Sequence, residues 1–297
     1  MTQSTQAPND PVSTIIIPRA RDIGDFSVRR SLPAQHLQAI GPFVFFDHMG
    51  PVVFNKGQAV DVRPHPHIGI STITWLFDGA IQHKDSLGFD VTIQPGEVNW
   101  MTSGSGIVHS ERSPASARMG NAPLAGIQAW VALPKAKEEM APAFHNYAAN
   151  TIPKMDEKGV NLTLIAGSAF GKTSPVLTES ETLYAELTLT ANSVIVIPSI
   201  AEERGMYVYA GTLEIAGITY SEGTLVAFKP DVDVTIRAVT NAGCMLLGGD
   251  ALDAPRHLYW NFVSSDLERI EQAKTDWREQ RFAMVDGDPE FIPLPGL

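Results

Sequence analysis

With 297 residues, 44% of them hydrophobic and 19% charged, the chain is long enough for two cores, because single cores stop growing at roughly 250–300 residues. No run approaches the roughly 20 apolar residues of a membrane-spanning helix, and 33 acidic against 22 basic side chains leave a net charge of −11 that disfavours direct nucleic-acid binding. The single cysteine, Cys244, excludes an internal disulfide and suits a reducing compartment, so the chain reads as a cytoplasmic globular protein with no membrane or nucleic-acid partner.

The opening stretch MTQSTQAPNDPVS is polar, lacks the basic and apolar segments of a secretory signal, and reads as a frayed tail. The short basic pairs Arg19 with Arg21 and Arg29 with Arg30 read as solvated faces or ion-pair partners. From Ile15 to Leu252 the chain consists of short runs rich in Val, Ile, Thr and aromatic residues, punctuated by Gly, Pro, Asn and Asp, which is the texture of an all-β sandwich or barrel. Ile70 to Phe77, Gly126 to Leu133, Tyr184 to Leu189 and Val232 to Ile236 are examples. The charged segment Pro134 to Met140 separates two strand-rich blocks and places a domain boundary near residue 140, giving domains 1–140 and 141–297. Trp75 to Gly79 overlays Tyr207 to Gly211, and Pro95-Gly-Glu97 overlays Glu222-Gly-Thr224, as two related barrels would produce. One helix is predicted from Ser265 to about Phe282, because Ser265 and Glu268 have capping-box spacing and Leu267, Ile270 and Trp277 fall near one face.

The residues that carry chemistry are His65 and His67 in one strand-like run and His109 and Glu111 in another. Residues two apart on a strand project to the same face, so each pair forms one jaw, and two jaws on neighbouring strands can close on one ion. Imidazoles with a carboxylate suit divalent first-row metals, whereas a closed structural zinc site favours cysteine, which this region lacks. Four protein donors on an ion that takes about six would leave two positions for a substrate oxygen and dioxygen. His36, His48, His83, His145 and His257 lack a matching partner at strand spacing and read as surface or hydrogen-bonded core residues, with His48 and His83 the two that could lie near the pocket. Phe45, Phe46, Trp75, Phe77, Trp100 and Met101 are candidate walls of an apolar pocket, and Asp85 with Ser86 either lines its mouth or serves the local turn.

The runs RPHPHIGISTITWLFDGAIQHKDSLG and IQPGEVNWMTSGSGIVHSE resemble the pirin signature within the cupin superfamily, and HLYWNFVSSDLERIEQAKTDW resembles the C-terminal part of bacterial pirin-like proteins. The resemblance implies a bicupin, two antiparallel β-barrels of jelly-roll type with a C-terminal helix, and one metal ion in the N-terminal barrel. It implies His65, His67, His109 and Glu111 as the metal ligands, with one divalent ion per chain, Fe2+ first and other first-row metals next. Laying the repeat across the two halves puts Ile197 and Ser199 opposite the first histidine pair and Ile236 and Ala238 opposite His109 and Glu111, so the second barrel has no ligand set. Two functions follow from the resemblance. One is a quercetin 2,3-dioxygenase, opening a flavonol with O2 and using Glu111 as base. The other is a metal- or redox-sensing regulator that acts on a protein partner, as a transcriptional cofactor or a modulator of a metabolic enzyme.

Overall fold

The computed structural model describes residues 10–24 and 26–296, so the first part of the polar N-terminal stretch lies outside the described residues. The rest of that stretch does not fray. Val12–Ile16 is a strand paired antiparallel with Thr224–Phe228, and the Asp10 carboxylate accepts the Val12 N–H at 2.9 Å. The remainder is antiparallel strand with one α-helix among the described residues, as the β-rich texture and the C-terminal pattern predict. No helix is long and apolar enough to cross a membrane.

Two units divide the strands, and they interleave in sequence instead of meeting at one point near residue 140. The first gathers Ala20–Arg30, Phe43–Thr151 and the segment from Leu252 onward, and the second gathers residues up to Arg19, Ser31–Pro42 and Ile152–Ala251. The helix therefore belongs with the first unit, because its apolar face packs there. Each unit has a seven-stranded and a four-stranded sheet. In the first unit the small sheet runs Asp61–His67, Ile107–Arg112, Ile81–Asp85, Asp90–Ile93; in the second it runs Val194–Ile197, Val234–Ala238, Thr212–Ile215, Ile218–Ser221. The order is the same, and the overlaid segments Trp75 to Gly79 and Tyr207 to Gly211 occupy equivalent strands of the large sheets.

The ladders refine the overlay between the halves. His109 pairs with His65 on one side and Asp85 on the other, and Ile236 pairs with Ile195 and Ile215. The counterparts of His65 and His67 are thus Ile195 and Ile197, two residues from the expected Ile197 and Ser199. A shift of two keeps the face, so the conclusion is unchanged. Where the first unit has His83, Asp85, His109 and Glu111, the second has Leu213, Ile215, Ile236 and Ala238, all in its apolar core.

The helix spans Leu267–Arg278, shorter than predicted. Its N-cap is Asp266, whose carboxylate accepts the Glu268 N–H at 2.9 Å; the Ser265 hydroxyl is turned away to Glu138. Ile270, Ala273 and Trp277 are buried, while Leu267 is 59% exposed and lies off the apolar face. That face packs on Ile68, Val108 and Phe262. Ile68 follows His67 and Val108 precedes His109, so the strand alternation that turns the imidazoles inward turns these residues outward onto the helix. Burying each such side chain contributes roughly 1.5–3 kcal/mol.

Gly69 closes this arrangement. It has φ +70°, its N–H donates to the Gly104 carbonyl at 2.9 Å, and a Cβ there would lie 2.0 Å from the Val263 carbonyl oxygen. Gly69→Ala is expected to lower the unfolding free energy by about 2–4 kcal/mol, since both the left-handed backbone and the close approach are lost. Urea unfolding checks this, and a change within about 0.5 kcal/mol would show that the turn relaxes freely.

Candidate metal centre

Three imidazoles meet inside the first unit. One nitrogen from each of His65, His67 and His109 lies within 4.8 Å of the others, and the ring centroids are 4.4 to 5.0 Å apart. All three residues are buried. The strand alternation brings them together as the spacing predicts: His65 and His67 project from one strand, and His109 projects from the strand beside it.

Their hydrogen bonding leaves lone pairs for an ion. His65 Nδ1 donates to the Arg63 carbonyl oxygen at 2.9 Å, which directs its proton away from Nε2. His67 Nδ1 and His109 Nε2 are buried nitrogens without a hydrogen-bond partner. Such orphans are costly unless something outside the protein meets them, and three converging imidazole donors fit a divalent transition metal. Burial also keeps the rings neutral. It lowers His65 to about 4, and burial with the neighbouring imidazoles holds His67 and His109 well below the ordinary histidine value.

Glu111 lies two residues beyond His109 on the same strand. It pairs with Val62 and His83, but the register against the Asp61–His67 strand shifts between His109 and Glu111, and its carboxylate is not among the atoms that meet in the cluster. It faces the adjoining cavity, where the Thr74 hydroxyl approaches it at 3.4 Å. That hydroxyl has one proton and a nearer acceptor, Gln128 Oε1 at 2.8 Å, so Glu111 is only lightly held. Burial raises its pKa, opposed by His83 and the Thr74 contact.

The cavity measures about 480 Å3 and reaches His65, His67 and Glu111. Its walls are largely apolar, from Phe26, Val28, Phe45, Met49, Val60, Ile81, Trp130 and Trp260, with the Arg30–Asp47 ion pair, Asp61, Arg63, Gln128 and Asn261 as polar points. Of the six walls expected from sequence, Phe45 lines it. Phe46, Trp75, Trp100 and Met101 are buried elsewhere in the core, and Phe77 stands edge-on to His48 at 6.2 Å, away from the cavity. Phe45, Asp47 and Met49 share one strand face, and so do Gln128 and Trp130; this two-residue period marks the correct wall in each strand.

The Pirin family description matches residues 25–131, and that of the Pirin C-terminal cupin domain matches residues 184–283. A pirin-like protein of Caulobacter vibrioides is 45% identical over 281 residues, covering 93% of this chain and 97% of that one. The chain belongs to the pirin family. Its bicupin fold matches that of a quercetin 2,3-dioxygenase from Acinetobacter baumannii with a TM-score of 0.89, 31% identity and coverage of 96% of this chain and 95% of the other. A bacterial pirin from Escherichia coli, solved in complex with nickel(II), shares the fold at 18% identity and a TM-score of 0.64, covering 80% of this chain and 99% of that one.

In this pirin, sequence reasoning undervalued His83 and Asp85. Both are buried on the strand Ile81–Asp85, next to the Ile107–Arg112 strand. His83 Nε2 is 3.0 Å from Asp85 Oδ2 and His83 Nδ1 is 3.4 Å from His109 Nδ1. Neither Asp85 nor Ser86 lines the cavity mouth. The Asp85 carboxylate accepts the Leu87 and Phe89 N–H groups, and Ser86 Oγ accepts the Val108 N–H, so the turn role is the one observed. The His-X-Asp spacing, the same as that of the ligand pairs, was the available signal.

The depressed histidines set a pH dependence for the metal-free protein. Folded His65 titrates at about 4 and His48 at about 3, both lowered mainly by burial, whereas an exposed imidazole titrates near 6.5. Below about pH 6.5 the unfolded chain therefore binds protons that the folded chain refuses, and stability falls as pH falls toward 4. Glu111 and Asp47, raised by burial, act in the opposite sense, two groups against four lowered histidines. Denaturant unfolding of metal-free protein between about pH 7 and about pH 5 should show a loss on the order of a few kcal/mol. A flat or rising profile would contradict neutral buried rings.

Proposed function

We propose that this pirin is a mononuclear non-haem metalloenzyme, ferrous iron being the first candidate ion, that opens the heterocycle of a flavonol such as quercetin with O2. The observation that carries the proposal is the pairing of three neutral, lone-pair-bearing imidazoles with a flat-walled apolar cavity at the same place. Close relatives support it, since a quercetin 2,3-dioxygenase shares 31% of its residues with this chain across almost the whole length.

His65, His67 and His109 would hold the ion, with Glu111 supplying the carboxylate. A bound divalent ion supplies Lewis acidity toward a hydroxyl oxygen and redox chemistry toward dioxygen. The chain's own residues do the rest. A cavity of about 480 Å3 has the size of a drug-sized ligand site, and Phe45 stacked on Trp130 at 3.9 Å gives it a flat aromatic wall. The apolar lining excludes water from the substrate. Glu111, lightly tethered by Thr74 and with its pKa raised by burial, turns into the cavity and takes the proton of the flavonol hydroxyl as general base.

The test uses purified protein loaded separately with ferrous iron, manganese, cobalt and nickel, mixed with quercetin in air. Protein-dependent bleaching with oxygen uptake is the expected result for at least one ion. His65→Ala should lose both metal and turnover, whereas Glu111→Ala should lose turnover by about 10²–10⁴-fold while losing less metal. Equal loss of metal in the two variants removes the base assignment. No turnover with any ion removes the catalytic reading and leaves metal-dependent docking on a protein partner.

A further inference from the structure

His109 differs from its companions in what holds its far nitrogen. His65 Nδ1 faces a carbonyl oxygen, which only accepts. His109 Nδ1 faces another imidazole nitrogen, Nδ1 of His83, at 3.4 Å, and a contact between two ring nitrogens does not by itself assign the proton. The assignment comes from one residue further out. Asp85 Oδ1 accepts the backbone N–H groups of Leu87 at 2.9 Å and Phe89 at 3.1 Å, which fixes the carboxylate, and Oδ2 is 3.0 Å from His83 Nε2. A carboxylate only accepts, so a neutral His83 ring carries its proton on Nε2 and offers the lone pair of Nδ1. His109 must then donate from Nδ1, and its lone pair lies on Nε2, the buried atom that has no other partner.

We propose that Asp85 and His83 are positioning residues that impose on His109 the tautomer needed to bind a divalent cation. The inference rests on the metal reading above and extends it to two residues that do not touch the ion. Packing supports it. His83 lies stacked on Phe144, with centroids 4.5 Å apart and planes 15° from parallel, so the ring cannot turn away from either neighbour without losing that face. The turn that fixes the carboxylate also closes the hairpin from Ile81–Asp85 to Asp90–Ile93, so the orientation of the proton chain is built into the turn. In the second unit the counterparts Leu213 and Ile215 are apolar where no cation would be held.

Asp85→Asn makes a specific prediction. The Leu87 and Phe89 N–H groups still need an acceptor, so the amide oxygen stays with them and the amide nitrogen faces His83. A donor now stands where an acceptor stood. His83 moves its proton to Nδ1, His109 accepts there, and the His109 proton moves to Nε2, onto the ligand atom. Long-range proton–nitrogen correlation spectra of the metal-free, full-length protein should place the His109 proton on Nδ1 in the wild type and on Nε2 in Asp85→Asn. Nickel(II), titrated against a competing chelator, should bind the variant about 10–100-fold more weakly. Ser86→Ala, which removes a contact in the same turn, should leave both tautomer and affinity unchanged. If Asp85→Asn does not fold, His83→Phe gives the reading instead: the phenyl ring keeps the stack on Phe144, both His109 tautomers appear, and nickel affinity falls.

A wild-type His109 proton on Nε2, an Asp85→Asn spectrum unchanged from wild type, or equal nickel affinity in the two proteins overturns the inference while the metal site stands. A wild-type chain that takes up no nickel or iron overturns the metal reading, and this inference with it.

Discussion

The site depends on the register of one strand. Ile107–Arg112 lies between Asp61–His67 and Ile81–Asp85, and pairing His109 with His65 on one side and with Asp85 on the other puts six polar side chains on the inner face of one barrel. Slipping either ladder by one residue would exchange His109 for Val108 or Ser110 on the inner face and turn an imidazole onto the helix. The helix opposes such a slip. Its apolar stripe is built for Ile68 and Val108, and a displaced register would press a histidine against Ile270, Ala273 and Trp277. Strand pairing and helix packing thus specify the same register from opposite faces of the sheet.

Holding that many polar groups in a barrel costs desolvation, and the second unit shows the same ladder without it. Ile195, Ile197, Leu213, Ile215, Ile236 and Ala238 fill the positions that His65, His67, His83, Asp85, His109 and Glu111 occupy in the first. The apolar set needs no hydrogen bonds and stabilises its barrel by burial alone. The polar set is tolerated because most of its atoms are answered locally: His65 by the Arg63 carbonyl, Asp85 by two backbone N–H groups and His83, and His109 by His83. What remains unanswered is His67 Nδ1 and His109 Nε2, and these lie where the rings converge. A barrel optimised for stability alone would have no reason to keep them, and the second unit has apolar residues at these positions.

The three histidines were legible because a period of two is the whole of strand geometry, and two His-bearing runs need only be neighbours to meet. The same period, applied to Phe43–Phe54, separates Phe45, Asp47 and Met49 from Phe46 and His48, and would have chosen the cavity wall more sharply than aromatic character did. Other features were out of reach. The register against Asp61–His67 shifts between His109 and Glu111, and counting residues cannot reveal such a bulge. Trp260, Asn261 and Ile292 reach the cavity from the C-terminal segment, whose return to the first unit is set by the packing of the helix and by the Ile292 N–H bonded to the Pro64 carbonyl. The helix cap was misplaced by one residue because Ser265 and Asp266 are both good N-caps, and only the tertiary contact of Ser265 with Glu138 decides between them.

The far wall of the cavity is joined to the histidine cluster by a continuous run of contacts. Arg30 makes a two-pronged hydrogen bond to Asp47 at 2.9 and 2.8 Å, which confirms the ion-pair expectation for that arginine, and its guanidinium lies 4.4 Å from the Phe45 ring centroid. Phe45 stacks on Trp130, and Trp130 meets His67 edge-on at 5.1 Å. Burial raises the Asp47 pKa against the opposing pull of its arginine partner, so the pair is weak evidence for stability. Its geometry supplies something else. A planar, doubly bonded guanidinium covers one face of Phe45, the indole of Trp130 stacks on that ring, and the edge contact of Trp130 adds to the backbone hydrogen bond at Asn261 in confining the His67 ring. The wall that lines the cavity is therefore also in ring contact with an imidazole of the cluster.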